Sequence, residues 1–448
     1  MTKSLADLTH RLIEAAKAAG ADGADAVAVA GTSVSIDVRN SVLEQAERSE
    51  GTDIGLRVFV GQRSANVSAS NTSDRTVDEM AARAVAMANE APEDPHAGIA
   101  DVSQLATDID ATRLDLIDAG DEPDPKWLEE QARIAEAAAM AVEGVAQVQS
   151  TSATYGRRQA HLATSNGFSG GSESTGHSLS SVAISGTGTG MERDYDFDSR
   201  IHRSDMRDAA EIGRIAGERA VVRHGARKPQ TGTYPVLFDE RIASSLVGHL
   251  ISASNGAMIA RGSSWLLGKD GKQVLPKGMD LIETPHRARV AGSRLFDGEG
   301  LPTAERKIID DGVLTGWTMD LATAHKLGLQ STGSASRGTS GPPSPSVSHL
   351  TLSQGTQSPT DIMKDMGTGL LITSMIGSTI NPNTGDYSRG ASGFWIENGE
   401  IAYPVNECTV AGNLHDMLAR IIPANDARTH ISRVIPSLMI DGMTLAGA

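Results

Sequence analysis

One cysteine, Cys408, stands in a chain of 448 residues. That scarcity excludes an intramolecular disulfide framework and any site built on several thiolates, zinc or iron–sulfur alike, and it suits a reducing compartment. Aromatic residues make up only 3% of the chain, so the core must rest on Val, Ile, Leu, Met and Ala. No segment offers ~18 consecutive apolar residues, and the opening Met-Thr-Lys-Ser-Leu-Ala-Asp-Leu carries charge where a signal peptide needs an apolar run. The expectation is a soluble, cytoplasmic protein without a membrane partner. Positive charge is also short: 40 Lys and Arg face 56 Asp and Glu, for a net charge of -16 without long like-charge blocks. Such a balance opposes binding to nucleic acid.

Several motifs are missing as well. There is no Gly-x4-Gly-Lys-Ser/Thr loop, and Gly186, Gly188 and Gly190 lack the spacing and the following helix of a dinucleotide site. Twelve histidines are present, yet no two stand at helical spacing with a carboxylate between them, the arrangement that both holds and uses zinc. His249 is alone on its helix, and Cys408 has no basic neighbour to lower its pKa, which reads as a buried thiol.

What is present is length and glycine. The chain is long enough for two or three domains, and its 47 glycines imply many turns. Ser4–Ala19 predicts an amphipathic helix, Asp25–Val38 two strands about a turn at Gly31-Thr32, and Ile54–Ser70 a hairpin about Gly61-Gln62. Asp74 starts a second helix. Proline-bearing connections follow at Ala91–Ala100 and Asp118–Pro125, then a helix from Pro125 to Val142. Strands from Val145 to Ser185 are broken at Tyr155-Gly156 and at Ser165-Asn166-Gly167, and a helix from Asp208 to Arg223 closes the region. The order helix, strands, helix thus occurs twice, in 1–92 and 124–225.

The expected fold class is α+β. An N-terminal domain, 1–228, has a β-sheet with flanking helices, and a C-terminal domain, 229–448, is dominated by antiparallel β-sheet. Ser331–Ser348, rich in Ser, Gly and Pro, reads as a surface loop, and Met366–Ile376 as a buried strand.

Three acidic spots compete for a role. Asp194, Asp196 and Asp198 resemble the start of a calcium loop, but Ser199 and Asp205 replace its glycine and closing glutamate, which leaves a solvated acidic turn. Asp297 and Glu299 lie between glycines, either orienting a ligand or forming a charged turn. In Thr384–Asn398 close-set glycines flank Tyr387 and Trp395, and the segment either approaches a ligand or makes an empty tight corner. Asp386 and Arg389 within it are open to reading as a structural ion pair.

The blocks Phe296–Thr303, Thr323–Gly328 with Ser331-Thr332-Gly333, Met366–Leu370, Thr384–Asn398, and Tyr403-Pro404-Val405 through Ala411-Gly412-Asn413-Leu414 together closely resemble the TldD/PmbA family, once called modulators of DNA gyrase, in its PmbA (TldE) branch. The family's TldD branch carries a His-Glu-x-x-x-His zinc helix with a later cysteine. The corresponding segment here reads Ser244-Ser245-Leu246-Val247-Gly248-His249, so one imidazole remains and the base is lost. The resemblance therefore implies a chain with no catalytic and no metal-binding residues of its own. It would be the metal-free subunit of a heterodimeric zinc metallopeptidase acting on unfolded or flexible peptides, with zinc on a TldD-type partner chain. Peptide contact is then expected at Asp386, Tyr387, Ser388, Arg389 and Gly390, by main-chain pairing to a strand edge. A homodimer in isolation is compatible with a family that pairs related subunits. Two other classes stand beside it: a regulatory protein binding gyrase or an antitoxin without proteolysis, and a self-sufficient hydrolase, for which the chain shows no nucleophile or metal set.

Overall fold

The computed structural model describes residues 3–447, without the side chain of residue 378. Helix α1 (Leu5–Ala18) begins where Ser4 and Asp7 cap each other reciprocally, and it buries Leu8, Leu12, Ile13 and Ala16. β1 (Gly23–Arg39) follows, then β2 (Val42–Val60) and β3 (Arg63–Ala69), and α2 (Asp74–Glu90), capped by Ser73. The same order recurs as α3 (Pro125–Met140), β4 (Val145–Thr164), β5 (Ser169–Ser185), β6 (Glu192–Arg200) and α4 (Ala209–Val221). All six strands form one antiparallel sheet in the order β3-β2-β1-β4-β5-β6.

The expected turn at Gly31-Thr32 and the break at Tyr155-Gly156 are both absent. Gly31 sits mid-strand between Gly51 and Arg158, and Gly156 between Ser33 and Gly176. Continuous pairing on both sides overrides a local turn preference. The turn that does form between β1 and β2 is at Asn40 and Ser41, which have φ of 54° and 57°. Val42–Gly51 is exposed throughout, on both faces of the sheet, which explains why no apolar alternation betrayed it.

β1 shows how the four helices share one face. Its Ala24, Ala26 and Ala28 pack with α1 and α2, while Val34, Ile36 and Val38 pack with α3 and α4. A Cβ on Gly213 of α4 would lie 1.9 Å from the Ala135 carbonyl oxygen of α3. Alanine favours helix by about 1 kcal/mol over glycine, but overpacking against an immovable backbone outweighs that. Gly213→Ala is expected to lower stability in urea by about 2 kcal/mol net; an unchanged midpoint would show that the helix crossing yields.

The C-terminal half is built on β7 (Gly232–Phe238) and α5 (Glu240–Ala253), which Asp239 caps. Strand Gly369–Ile380 pairs parallel with β7 and antiparallel with Asp386–Glu397, which in turn pairs with Glu400–Asn413. Strand Leu438–Ala446 joins β7 to Glu400–Asn413, closing a five-stranded barrel that is antiparallel at every pair but one. Leu246, Val247 and Leu250 of α5 enter the same core as Phe238, Leu370, Tyr387 and Val410. The architecture is thus α+β. The predicted strand at Met366 instead begins at Gly369, because Pro359–Met366 is a capped helix.

The two halves meet on the helix-free face of the sheet, where Phe168 packs edge-on to Phe296 with ring centroids 5.1 Å apart. Residues 331–348 are not the surface loop expected. Ser334 and Ala335 are buried, Ala335-Ser336 pairs with Ser344-Pro345, and Arg337 reaches buried Asp25 of β1 at 3.0 Å. A Cβ on Gly55 of β2 would lie 2.1 Å from the Thr339 carbonyl oxygen. A glycine and a buried counter-charge, both about 300 residues upstream, hold the segment down. Among the described residues no helix is long and apolar enough to cross a membrane.

Candidate functional site

The segment Thr384–Asn398 becomes a turn and a barrel strand. Gly385, at φ 77°, lies against Trp265, and Asn381 caps the turn through the amide N–H groups of Asn383 and Thr384. Asp386 is exposed and accepts from Thr384 Oγ1 (2.6 Å) and Asn413 Nδ2 (3.0 Å), hydrogen bonds that hold its carboxyl below the usual range, the Thr384 bond first. It therefore secures the turn and does not pair with Arg389. Arg389 donates from Nε to the Gly377 carbonyl (2.7 Å) across the neighbouring strand.

Strand alternation then divides the remaining residues. Tyr387 is buried, hydrogen-bonds Met375 Sδ at 3.5 Å, and stands edge-on to His249 with ring centroids 5.8 Å apart. Burial pushes its hydroxyl up to about 12. Its ring supports the site from within and is not presented to a ligand in this form. Ser388, Arg389 and Gly390 are half-buried. A Cβ on Gly390 would come within 2.6 Å of Ile376 Cγ2 and 3.3 Å of the Ile376 carbonyl oxygen, so a larger residue there would displace the Ile376 side chain.

Gly390, Ala391 and Ser392 line a cleft of about 720 Å³ between the barrel and β6, together with Ile376 and Tyr195. Ile376 is 78% exposed and follows the strand to a bulge at Gly377. Cys408 belongs to the same wall but is buried, donates its thiol to the Ala391 carbonyl (3.2 Å), and is pushed up to about 11 by burial. It is a thiol, neither nucleophile nor metal ligand in that state.

The acidic triplet is not a solvated turn, and its first member, Asp194, belongs to the other wall of the cleft. Asp194, Asp196 and Asp198 alternate along β6 with buried carboxylates, each matched by arginine. Asp194 takes Arg223 Nε (2.7 Å) and Arg241 Nη1 (3.0 Å), Asp196 takes Arg207 and Arg219, and Asp198 takes Arg200. Arg223 continues to Thr373 Oγ1 (2.7 Å) and Ser392 Oγ (3.1 Å), tying the sheet to the barrel. Three aspartates at spacing two pointed to a strand as much as to a calcium loop, and the arginines downstream were the missed signal. Arg219 and Arg207 also occupy the Tyr195 and Phe197 carbonyls, which blunts the edge of β6 against further strand pairing.

Behind Tyr387 lies α5. His249 Nε2 and, one turn earlier, Ser245 Oγ are buried without hydrogen-bond partners. Burial, then the charge of Arg389, holds His249 below its ordinary pKa, so the imidazole is neutral near pH 7. Among the described residues no three His, Cys, Asp or Glu side chains converge to hold a metal ion. One imidazole and a serine hydroxyl fall short of the three protein ligands that a catalytic zinc site supplies, so these residues do not fit the zinc of the family's TldD branch.

A closed small barrel joined to a six-stranded, helix-backed sheet defines an α+β protein, and its family follows from its relatives. Residues 24–88, 118–223 and 231–447 match in turn the first, central and C-terminal domains of the PmbA/TldA metallopeptidase family. The chain is 35% identical over 429 residues to metalloprotease PmbA of Escherichia coli O157:H7, covering 95% of this chain and 92% of that one. It also resembles the crystal structure of a putative modulator of DNA gyrase from Bacteroides thetaiotaomicron (TM-score 0.90, 28% identity, 98% of both chains). Its fold matches TldE of Thermococcus kodakarensis at a TM-score of 0.84 with 19% identity, over 98% of this chain and 100% of that one. The chain belongs to the PmbA/TldD metallopeptidase family.

Proposed function

We propose that this chain is the metal-free, PmbA/TldE-type subunit of a heterodimeric zinc metallopeptidase that acts on unfolded or flexible peptides. The zinc sits on a TldD-type partner chain, and this chain contributes substrate binding or subunit assembly. The observation that carries the reading is the helix behind Tyr387: where hydrolysis needs a held metal and a base, it offers only neutral His249 and Ser245. Ser388–Gly390 pairs with a neighbouring strand on both sides, so the free strand edge expected from the sequence is absent there. The proposed peptide contact is instead the cleft surface at Gly390, beside Ser388 and Arg389. Asp386 fixes the turn and Tyr387 the floor. A lone buried thiol suits the proposed cytoplasmic location, and the free chain is proposed to pair with itself when no partner is present.

Arg389→Ala frees the Gly377 carbonyl and loosens the strand beside the cleft. Mixed with a TldD-type chain, this variant is expected to cleave a flexible peptide about tenfold more slowly, a loss on the scale of one hydrogen bond to a charged group. If replacing both Tyr387 and Arg389 leaves complex formation and cleavage unchanged, the assignment of this segment is wrong. The second reading, a regulatory protein that binds without proteolysis, draws on the name of the Bacteroides relative. Chelation separates the two, because it abolishes joint cleavage but leaves a purely regulatory contact intact.

A further inference from the structure

A second cavity, about 390 Å³, lies between the helix-free face of the sheet and the segments 292–298 and 335–337. Its walls include Arg294 and Arg337, each with a buried guanidinium N–H that no acceptor satisfies. Arg337, with its side chain only 1% exposed, donates Nε to Asp25 and Nη1 to the carbonyls of Gly338 and Gly341, while its Nη2 has no partner. Asp25 is already shared with Arg57. Arg294 donates Nη1 to the Ala335 carbonyl (3.1 Å) and Nη2 to the Ser346 carbonyl (2.9 Å), and its buried Nε has no partner either. Carbonyls satisfy geometry but do not neutralise charge.

The carboxylates in the walls give these N–H groups no hydrogen bond, although the charge of Arg294 acts on Asp297. Asp297 accepts the backbone N–H groups of Glu299, Leu301 and Ala335, and Glu173 pairs with Arg157. Behind Ser293, whose hydroxyl lies 2.8 Å from His349 Nε2, the surroundings are cationic again. Burial first, then Arg287, Arg433 and Arg294, depress His349 to about 4. Arg433 Nη1 is likewise buried and unpartnered. Buried guanidinium N–H groups without acceptors are costly and rare, and oxyanions are the ligands that satisfy them in pairs.

We propose that this interdomain cavity binds an oxyanion, either the C-terminal carboxylate of a peptide or a phosphate group, through Arg294 Nε and Arg337 Nη2. The site is separate from the cleft beside Ser388–Gly390, and its failure would leave the subunit assignment standing. Isothermal titration calorimetry of the full chain with acetyl-trialanine acid, its C-terminal amide and inorganic phosphate tests it. Two variants accompany the native chain. Arg294→Gln removes a charge bound only to carbonyls, and Arg337→Lys keeps a cation for Asp25 while deleting the free N–H.

The acid peptide or phosphate is expected to bind the native chain, and to bind each variant at least about tenfold more weakly, as loss of a charge-assisted hydrogen bond requires. Binding of the acid but not the amide assigns a peptide terminus; binding of phosphate alone assigns a phosphate group. The proposal is overturned if neither anion binds the native chain, or if Arg294→Gln, shown to be folded by its thermal transition, binds as tightly as native.

Discussion

Asp194→Ala is expected to cost about 3–5 kcal/mol of stability, the range for removing one partner of a buried ion pair. Asp194 and Arg223 are both nearly inaccessible. After the substitution Arg241 still has Asp239 at 3.0 Å, but Arg223 keeps only the hydroxyls of Thr373 and Ser392 and no counter-charge. A buried guanidinium with no anion pays most of its desolvation cost uncompensated. Because Arg223 joins β6 to the barrel, the loss also opens the wall of the cleft that holds Gly390. Urea denaturation of native and variant chains measures it. A difference below about 1 kcal/mol, the scale of an exposed pair, would mean that the cluster is solvated and does not clamp the two halves.

Glu299 supplies the second large effect, read through pH. Its carboxyl is buried, accepts the Leu321 N–H at 2.8 Å, and is raised to about 8, first by burial and then by the neighbouring Asp297. Unfolding returns it to an ordinary value of 4.5. Between those two values the native chain holds a proton that the unfolded chain has released, so stability falls as pH rises. The contribution is whole below pH 4.5, is lost progressively, and is gone above about pH 8, a change on the order of 5 kcal/mol. Glu299→Gln keeps an acceptor for Leu321 and removes the titration. The stability of the variant relative to native should therefore climb from near zero at about pH 4.5 to several kcal/mol at about pH 8.5. A difference that is constant with pH would contradict the assignment.

What the sequence disclosed was local. The amphipathic helix after Ser4, the turns at Gly61 and at Asn166-Gly167, and the proline start of α3 are short-range chemistry, and each stands where its residues put it. Long-range pairing hid the rest. Gly31 and Gly156 read as turns because nothing near them reveals that strands flank both sides. Asp194, Asp196 and Asp198 read as solvated because their arginines lie at 200, 207, 219, 223 and 241. Residues 331–348 have a loop's composition, yet Asp25 and Gly55 bind them down. At the candidate site, the family resemblance pointed to the strand and to the segment Ser244–His249, which lies within α5. The inward turn of Tyr387 toward His249 needed the barrel register, and the bond from Asp386 to Asn413 needed the neighbouring strand.

The central claim is that this chain works on peptides only through a metal held by another. Zinc content and cleavage of a flexible peptide should be measured together for this chain alone, for a TldD-type chain alone, and for the two mixed. The account predicts substoichiometric zinc and no cleavage from this chain by itself, and chelator-sensitive cleavage from the mixture that exceeds either component. Stoichiometric zinc with peptidase activity in this chain alone would contradict it.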